Sequence, residues 1–172
     1  NFKKGLTDIV LYIIIFIVVQ IFLTYAGAGI WAAVKGEGYQ ATLLAMDTGY
    51  NAILKALTTV FGNVFTLIIF LKAKWTPLTR NYLQSKPWLS LLWVALFTLG
   101  TIIPLEFVYE QIGVEMDADT ERVFASLMKE PWGYVAIGIL APLAEEIVFR
   151  GAILRTLLDM VSKKNHWVAI FI

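Results

Sequence analysis

The 172-residue chain is 59% hydrophobic and 14% aromatic, only 16% charged, and carries a formal net charge of +1. Soluble domains run at roughly 45–50% apolar and 25% charged residues, so a water-soluble globule is excluded and the bilayer is the expected solvent. The near-neutral charge argues against nucleic acid as a partner. The lack of any cysteine removes disulfides, thiolate metal sites and a Cys nucleophile together.

Read in chain order, the apolar runs predict an all-α fold. It is a polytopic transmembrane helix bundle with about four full spans and the start of a fifth. A helix needs about 20 apolar residues to cross the hydrocarbon core. The first span, 9–31, holds no charge, and Gln20 is its main polar residue. It is too long for a signal-peptide core. The second, 50–73, has a charge-free centre, and Lys55 is expected to snorkel to an interface. The third, 88–108, reads as broken near its end by Pro104. A fourth runs over 133–158, and a fifth opens at His166. The chain begins with Asn1 and stops at Ile172 inside this last apolar run, so both ends read as cut points in a longer protein. A single integral membrane domain, 1–172, is expected.

Charge and tryptophan both support this division. Lys3 and Lys4 precede the first span, Lys72, Lys74, Arg80 and Lys86 separate the second from the third, and Lys163 and Lys164 follow the fourth. The other two loops mix Lys35, Arg122 and Lys129 with Glu37, Asp47, Glu110, Glu115, Asp117, Asp119, Glu121 and Glu130. Positive loops mark the cytoplasmic side, which puts the N-terminal end on the cytoplasmic face of a cell membrane. Trp31, Trp75, Trp88, Trp132 and Trp167 fall at span ends, as an aromatic belt requires, and Trp93 alone falls inside a span. Ala26, Gly27, Ala28 and Gly29 suit close helix packing. In the second outer loop, Asp119 is expected to cap a short helix with Val123, Phe124, Leu127 and Met128 on one face.

The fourth span carries the chemistry. Glu145, Glu146 and Arg150 interrupt an otherwise apolar run, with Glu145 the thirteenth of its twenty-six residues and so expected near mid-span. An acid at that depth costs about 2.5–3.5 kcal/mol and must face protein or water. On an α-helix, residues four apart lie about 40° from one another and residues five apart about 140°. Glu146 and Arg150 are therefore expected to form a salt bridge, leaving Glu145 for another partner. Pro142 has no N–H to give the Gly138 carbonyl, so a kink and an opening to water are expected just before the acid pair. Water beside an unpaired carboxylate is the starting material of general-base hydrolysis. A buried ion network that only fixes register, and a proton relay in a transporter, remain open from geometry alone. Two adjacent glutamates on one helix cannot converge on one ion unaided, and the two-histidine spacing of zinc peptidases is missing, so neither metal nor cofactor is expected.

The segment APLAEEIVFRGAILRTLL, residues 141–158, resembles the first motif of the CAAX protease and bacteriocin-processing (CPBP, or Abi) family. That motif is two glutamates, three residues and an arginine, usually followed by glycine, here Glu145, Glu146, Arg150 and Gly151. The resemblance implies a bacterial intramembrane glutamic endopeptidase. Its substrate would be a prenylated protein tail or leader peptide in or at the membrane. It implies that Glu145 is the general base, with Glu146 and Arg150 orienting it. Later motifs of the family, a phenylalanine four positions ahead of a histidine and then a histidine with an asparagine or aspartate, are not present. The only histidine, His166, has Ser162 four before it and reads as an interfacial residue, so the catalytic partner is expected in sequence beyond Ile172. The alternative within the family is a non-catalytic protein that acts in bacteriocin immunity or regulation by binding a membrane protein partner.

Overall fold

The computed structural model describes residues 2–76, 88–113 and 117–161. The expected fifth helix with His166 and Trp167, the Lys163–Lys164 pair, the loop carrying Arg80 and Lys86, and Glu115 lie outside the described residues. Every described element is helical, so the chain is all-α. Three helices are long and apolar enough to cross a membrane, within Phe2–Lys35, Ala52–Lys72 and Leu92–Ile112. The chain divides into two units, one of Asn1–Pro77 with Arg122–Ile172 and one of Leu78–Glu121.

The smaller unit is dominated by α4 (Trp88–Ile112), which contains Pro104 without ending there. The expected break does not occur. A spanning helix tolerates one lost backbone bond where the rest of its ladder holds.

In the larger unit, α1 (Phe2–Lys35) turns through Gly36, at φ 69°, into the short α2 (Tyr39–Asp47), and α3 (Ala52–Lys72) follows. Asn51 caps α3 by accepting from the Leu54 N–H at 3.2 Å. The first apolar span lies inside α1, and the second coincides with α3 to within two residues. α1 and α3 run antiparallel. At one end Ala28 packs with Met46 and Leu54, and at the other Tyr12 packs with Phe70. Small residues bring the two together, as expected of the first span: Gly27 lies directly against Thr58, and Ala28 is fully buried. Gly62 leaves room for the Gln20 amide, which donates to Asn63 Oδ1 at 3.1 Å and Thr66 Oγ1 at 3.4 Å.

α5 (Ala118–Met128) is capped by Asp117, whose Oδ2 accepts from the Thr120 N–H at 3.3 Å. The expected cap, Asp119, lies two residues inside the helix. The cap must stand before the first turn for its carboxylate to reach the third helical N–H, and Asp117 is the residue so placed. Leu127 is buried on the face expected to pack.

Residues 131–160 are helical throughout but not uniformly α. Two π stretches, Tyr134–Leu140 and Glu146–Leu154, flank the α turn Ala141–Glu145, with Pro131–Gly133 before and Arg155–Met160 after. This motif helix is antiparallel to α1. Its Val148 and Ala152 join the Tyr12–Phe70 cluster, and its Met160 lies against Gly5. The start of α1, the end of α3 and the end of the motif helix therefore share one end of the unit. Lys3, Lys4, Lys72 and Lys74 gather there.

Candidate functional site

The π stretches change the expectation at Pro142. The ladder does not stay α and lose only the Gly138 bond. The Ala141 N–H donates five residues back, to the Ala136 carbonyl. A proline ring crowds the carbonyl four residues before it, and a wider turn relieves that crowding before the proline is reached. Single π turns inside α-helices recur at functional sites.

Arg150 Nη1 stands 2.6 Å from Glu146 Oε1, so the expected i,i+4 bridge forms even though Glu146–Leu154 is a π stretch. The side chains of Arg150 and Glu146 are 72% and 51% exposed. Glu145, the last residue of the α turn, is exposed as well, and among the described residues it has neither an ion pair nor a side-chain hydrogen bond. On the same helix Ala144, Val148 and Ala152 are fully buried, with Val148 and Ala152 packed against Tyr12 of α1 and Phe70 of α3. The site thus consists of one bridged carboxylate and one unbridged carboxylate on the face turned away from the packed core. Among the described residues, no three His, Cys, Asp or Glu side chains gather as a metal site would need.

Val148 meets Tyr12, one turn into the apolar run of α1, and Phe70, two residues before Lys72. Residues 155–160 extend alongside the first turns of α1, with Met160 against Gly5.

One contributor, Thr76, escaped the sequence reading. Thr76, seven residues beyond Ile69, donates its hydroxyl to the Ile147 carbonyl at 2.8 Å and is 7% exposed. Gly151 makes that contact possible, since a Cβ there would stand 2.7 Å from Thr76 Oγ1 and 3.0 Å from Thr76 Cβ. The glycine after the arginine was the available signal. Its partner, 71 residues away, left no local trace.

An all-helical chain with three helices long and apolar enough to cross a membrane, and an acid pair bridged to arginine on the separate helix over 131–160, defines the class. Residues 127–172 match the family described as type II CAAX prenyl endopeptidase Rce1-like, a protease family, which bears out the resemblance drawn from Glu145, Glu146 and Arg150. No curated protein and no solved structure matches the chain.

Proposed function

We propose that the protein is an intramembrane, metal-independent endopeptidase in which Glu145 activates water. The observation that carries this reading is the contrast between adjacent acids within the matched segment. Glu146 is held by Arg150 at 2.6 Å, and Glu145 holds no partner among the described residues. A carboxylate committed to a guanidinium is a poor base, whereas an uncommitted one beside water is a competent one. In the proposed step, Glu145 takes a proton from water and the resulting hydroxide adds to the scissile carbonyl. The proton then passes to the leaving amine as the C–N bond breaks. Glu146 and Arg150 fix the turn that carries Glu145. The pair that would stabilise the oxyanion, a histidine and an asparagine or aspartate by the resemblance, would come from outside the described residues. Such donors are typically worth about 2.7–4 kcal/mol each.

The substrate in this reading is a membrane-associated peptide, with a prenylated tail favoured over a leader peptide by the family matched. It would approach from the end where the lysines gather. The positive-inside rule makes that end cytoplasmic, in a bacterial cell membrane where the chain spans as one multi-pass domain.

The test is cleavage of a farnesylated peptide ending in a CAAX sequence by the full chain in bilayers. Glu145→Gln should lose at least about 100-fold in rate, the lower end of a general base's contribution, with unchanged membrane insertion. Full activity in that variant overturns the reading. A wild-type chain that cuts nothing, together with a Glu145→Ala variant that still complements a deletion strain, would favour the partner-binding role in immunity or regulation.

A further inference from the structure

The C-terminal end of α3 is built to hold one side chain against the motif helix. Ala73 caps α3, and Lys74 follows in the left-handed region at φ 57°. The Lys74 N–H donates to the Leu71 carbonyl at 3.1 Å, and the Trp75 N–H reaches back to the Phe70 carbonyl at 3.1 Å. This pair of bonds is a Schellman motif, and its usual apolar contact is present. The Trp75 and Phe70 rings stand 5.2 Å apart, edge to face, and the Tyr12 ring lies tilted against Trp75 at 5.1 Å. Thr76 is the next residue. Its position is thus fixed by two backbone bonds and three rings before its own side chain makes any contact.

The hydroxyl of Thr76 donates to the Ile147 carbonyl at 2.8 Å. Ile147 lies beside Glu146, within the stretch where backbone bonds run to the fifth residue rather than the fourth. Such a turn is looser in register than an α turn, and an external donor on one of its carbonyls pins it. The donor can reach that carbonyl only because position 151 has no Cβ. An ordinary side chain there would push Thr76 out.

We propose that Thr76 is a positioning residue for the acid–arginine pair. Docked in the notch at Gly151, it clamps the Ile147 carbonyl and sets the rotation of the turn that presents Glu145, Glu146 and Arg150. This rests on the peptidase reading above. The clamp also gives the glycine that follows the arginine a physical role.

The experiment compares wild type, Thr76→Val, Thr76→Ser, Gly151→Ala and Glu145→Gln as full chains in bilayer nanodiscs. Two readouts are taken: cleavage of the farnesylated CAAX peptide, and amide hydrogen exchange over residues 146–154. Thr76→Val keeps the shape and loses the donor. It should lower kcat by about three- to tenfold, the worth of one neutral hydrogen bond, with KM within about twofold, and speed exchange over 146–154 by a similar factor. Exchange over 56–70 should not change. Thr76→Ser should restore both readouts. Gly151→Ala, which keeps the hydroxyl but fills the notch, should reproduce the valine pattern. Wild-type kcat and exchange in Thr76→Val, or a serine variant as impaired as the valine one, overturns the proposal. The two readings separate cleanly. An inactive Glu145→Gln with an undisturbed Thr76→Val removes only the positioning role. An active Glu145→Gln removes the catalytic reading, and whatever exchange then shows for Thr76 concerns structure alone.

Discussion

Lys74 occupies the position where helices usually place glycine, and its left-handed backbone costs a side-chain-bearing residue about 1–2 kcal/mol. Lys74→Gly should relieve that strain, offset in part by the extra freedom of glycine in the unfolded chain. We expect a net gain of roughly 0.5–1 kcal/mol, read as a rise of about 2 °C in detergent melting. A melting point at or below wild type would show that the turn is not strained. The Arg150–Glu146 bridge has a different balance. Its side chains are half to three-quarters exposed, so in water its worth would lie within about 0–1 kcal/mol. In hydrocarbon the loss of one partner leaves a charge costing about 2.5–3.5 kcal/mol. Arg150→Ala and Glu146→Gln should therefore lose activity in both media but lose stability mainly in bilayers. Equal destabilisation in detergent and bilayer would show that the bridge lies outside the low-dielectric interior of the membrane. This bridge was legible from spacing, because residues four apart meet on α and π turns alike. Thr76 was not, because a clamp made across 71 residues depends on how the ends of two helices meet.

Among the elements, the α1–α3 interface rests on apolar contact plus one polar cluster. Gln20 serves Asn63 and Thr66, both buried, and Thr66 also donates to the Gly62 carbonyl at 2.9 Å. Interhelical bonds in membranes average about 0.6 kcal/mol, and stranding buried Asn63 adds to that, so Gln20→Ala should cost roughly 1–2 kcal/mol. Gly62→Leu, which collides with the Gln20 amide, should cost more. Unfolding in mixed micelles measures both, and a leucine variant as stable as wild type would contradict the packing described. Gly27 and Ala28 announced this interface in the sequence, since small residues in an apolar helix have few other uses. The Gln20 cluster was not announced, because a lone glutamine does not say which helix answers it. The π stretches were equally hidden. Apolar periodicity over 133–158 fits a helix, and nothing in composition distinguishes a fourth-residue ladder from a fifth-residue one.

At the scale of the whole chain, the clustering of lysines at one end of the larger unit follows from antiparallel packing of α1 against α3 and the motif helix. The loop charges foretold this pattern because orientation in a bilayer is written in charge. The neighbours of the motif helix, Tyr12 and Phe70, were written less plainly, since they come from other helices. The proposed hydrolysis requires that an uncommitted carboxylate at position 145 meet water within the membrane. The 172 residues contain no cysteine, so one introduced thiol can report on this directly. Glu145→Cys and Ile139→Cys, both at exposed positions of the motif helix, should be compared for labelling by a charged, membrane-impermeant thiol reagent in oriented membranes. Apolar surroundings suppress the reactive thiolate, so Ile139→Cys should stay inert while Glu145→Cys labels at least roughly tenfold faster from the cytoplasmic side. A thiol at 145 as unreactive as the one at 139 would mean that lipid, not water, surrounds that position, and the proposed hydrolysis could not occur there.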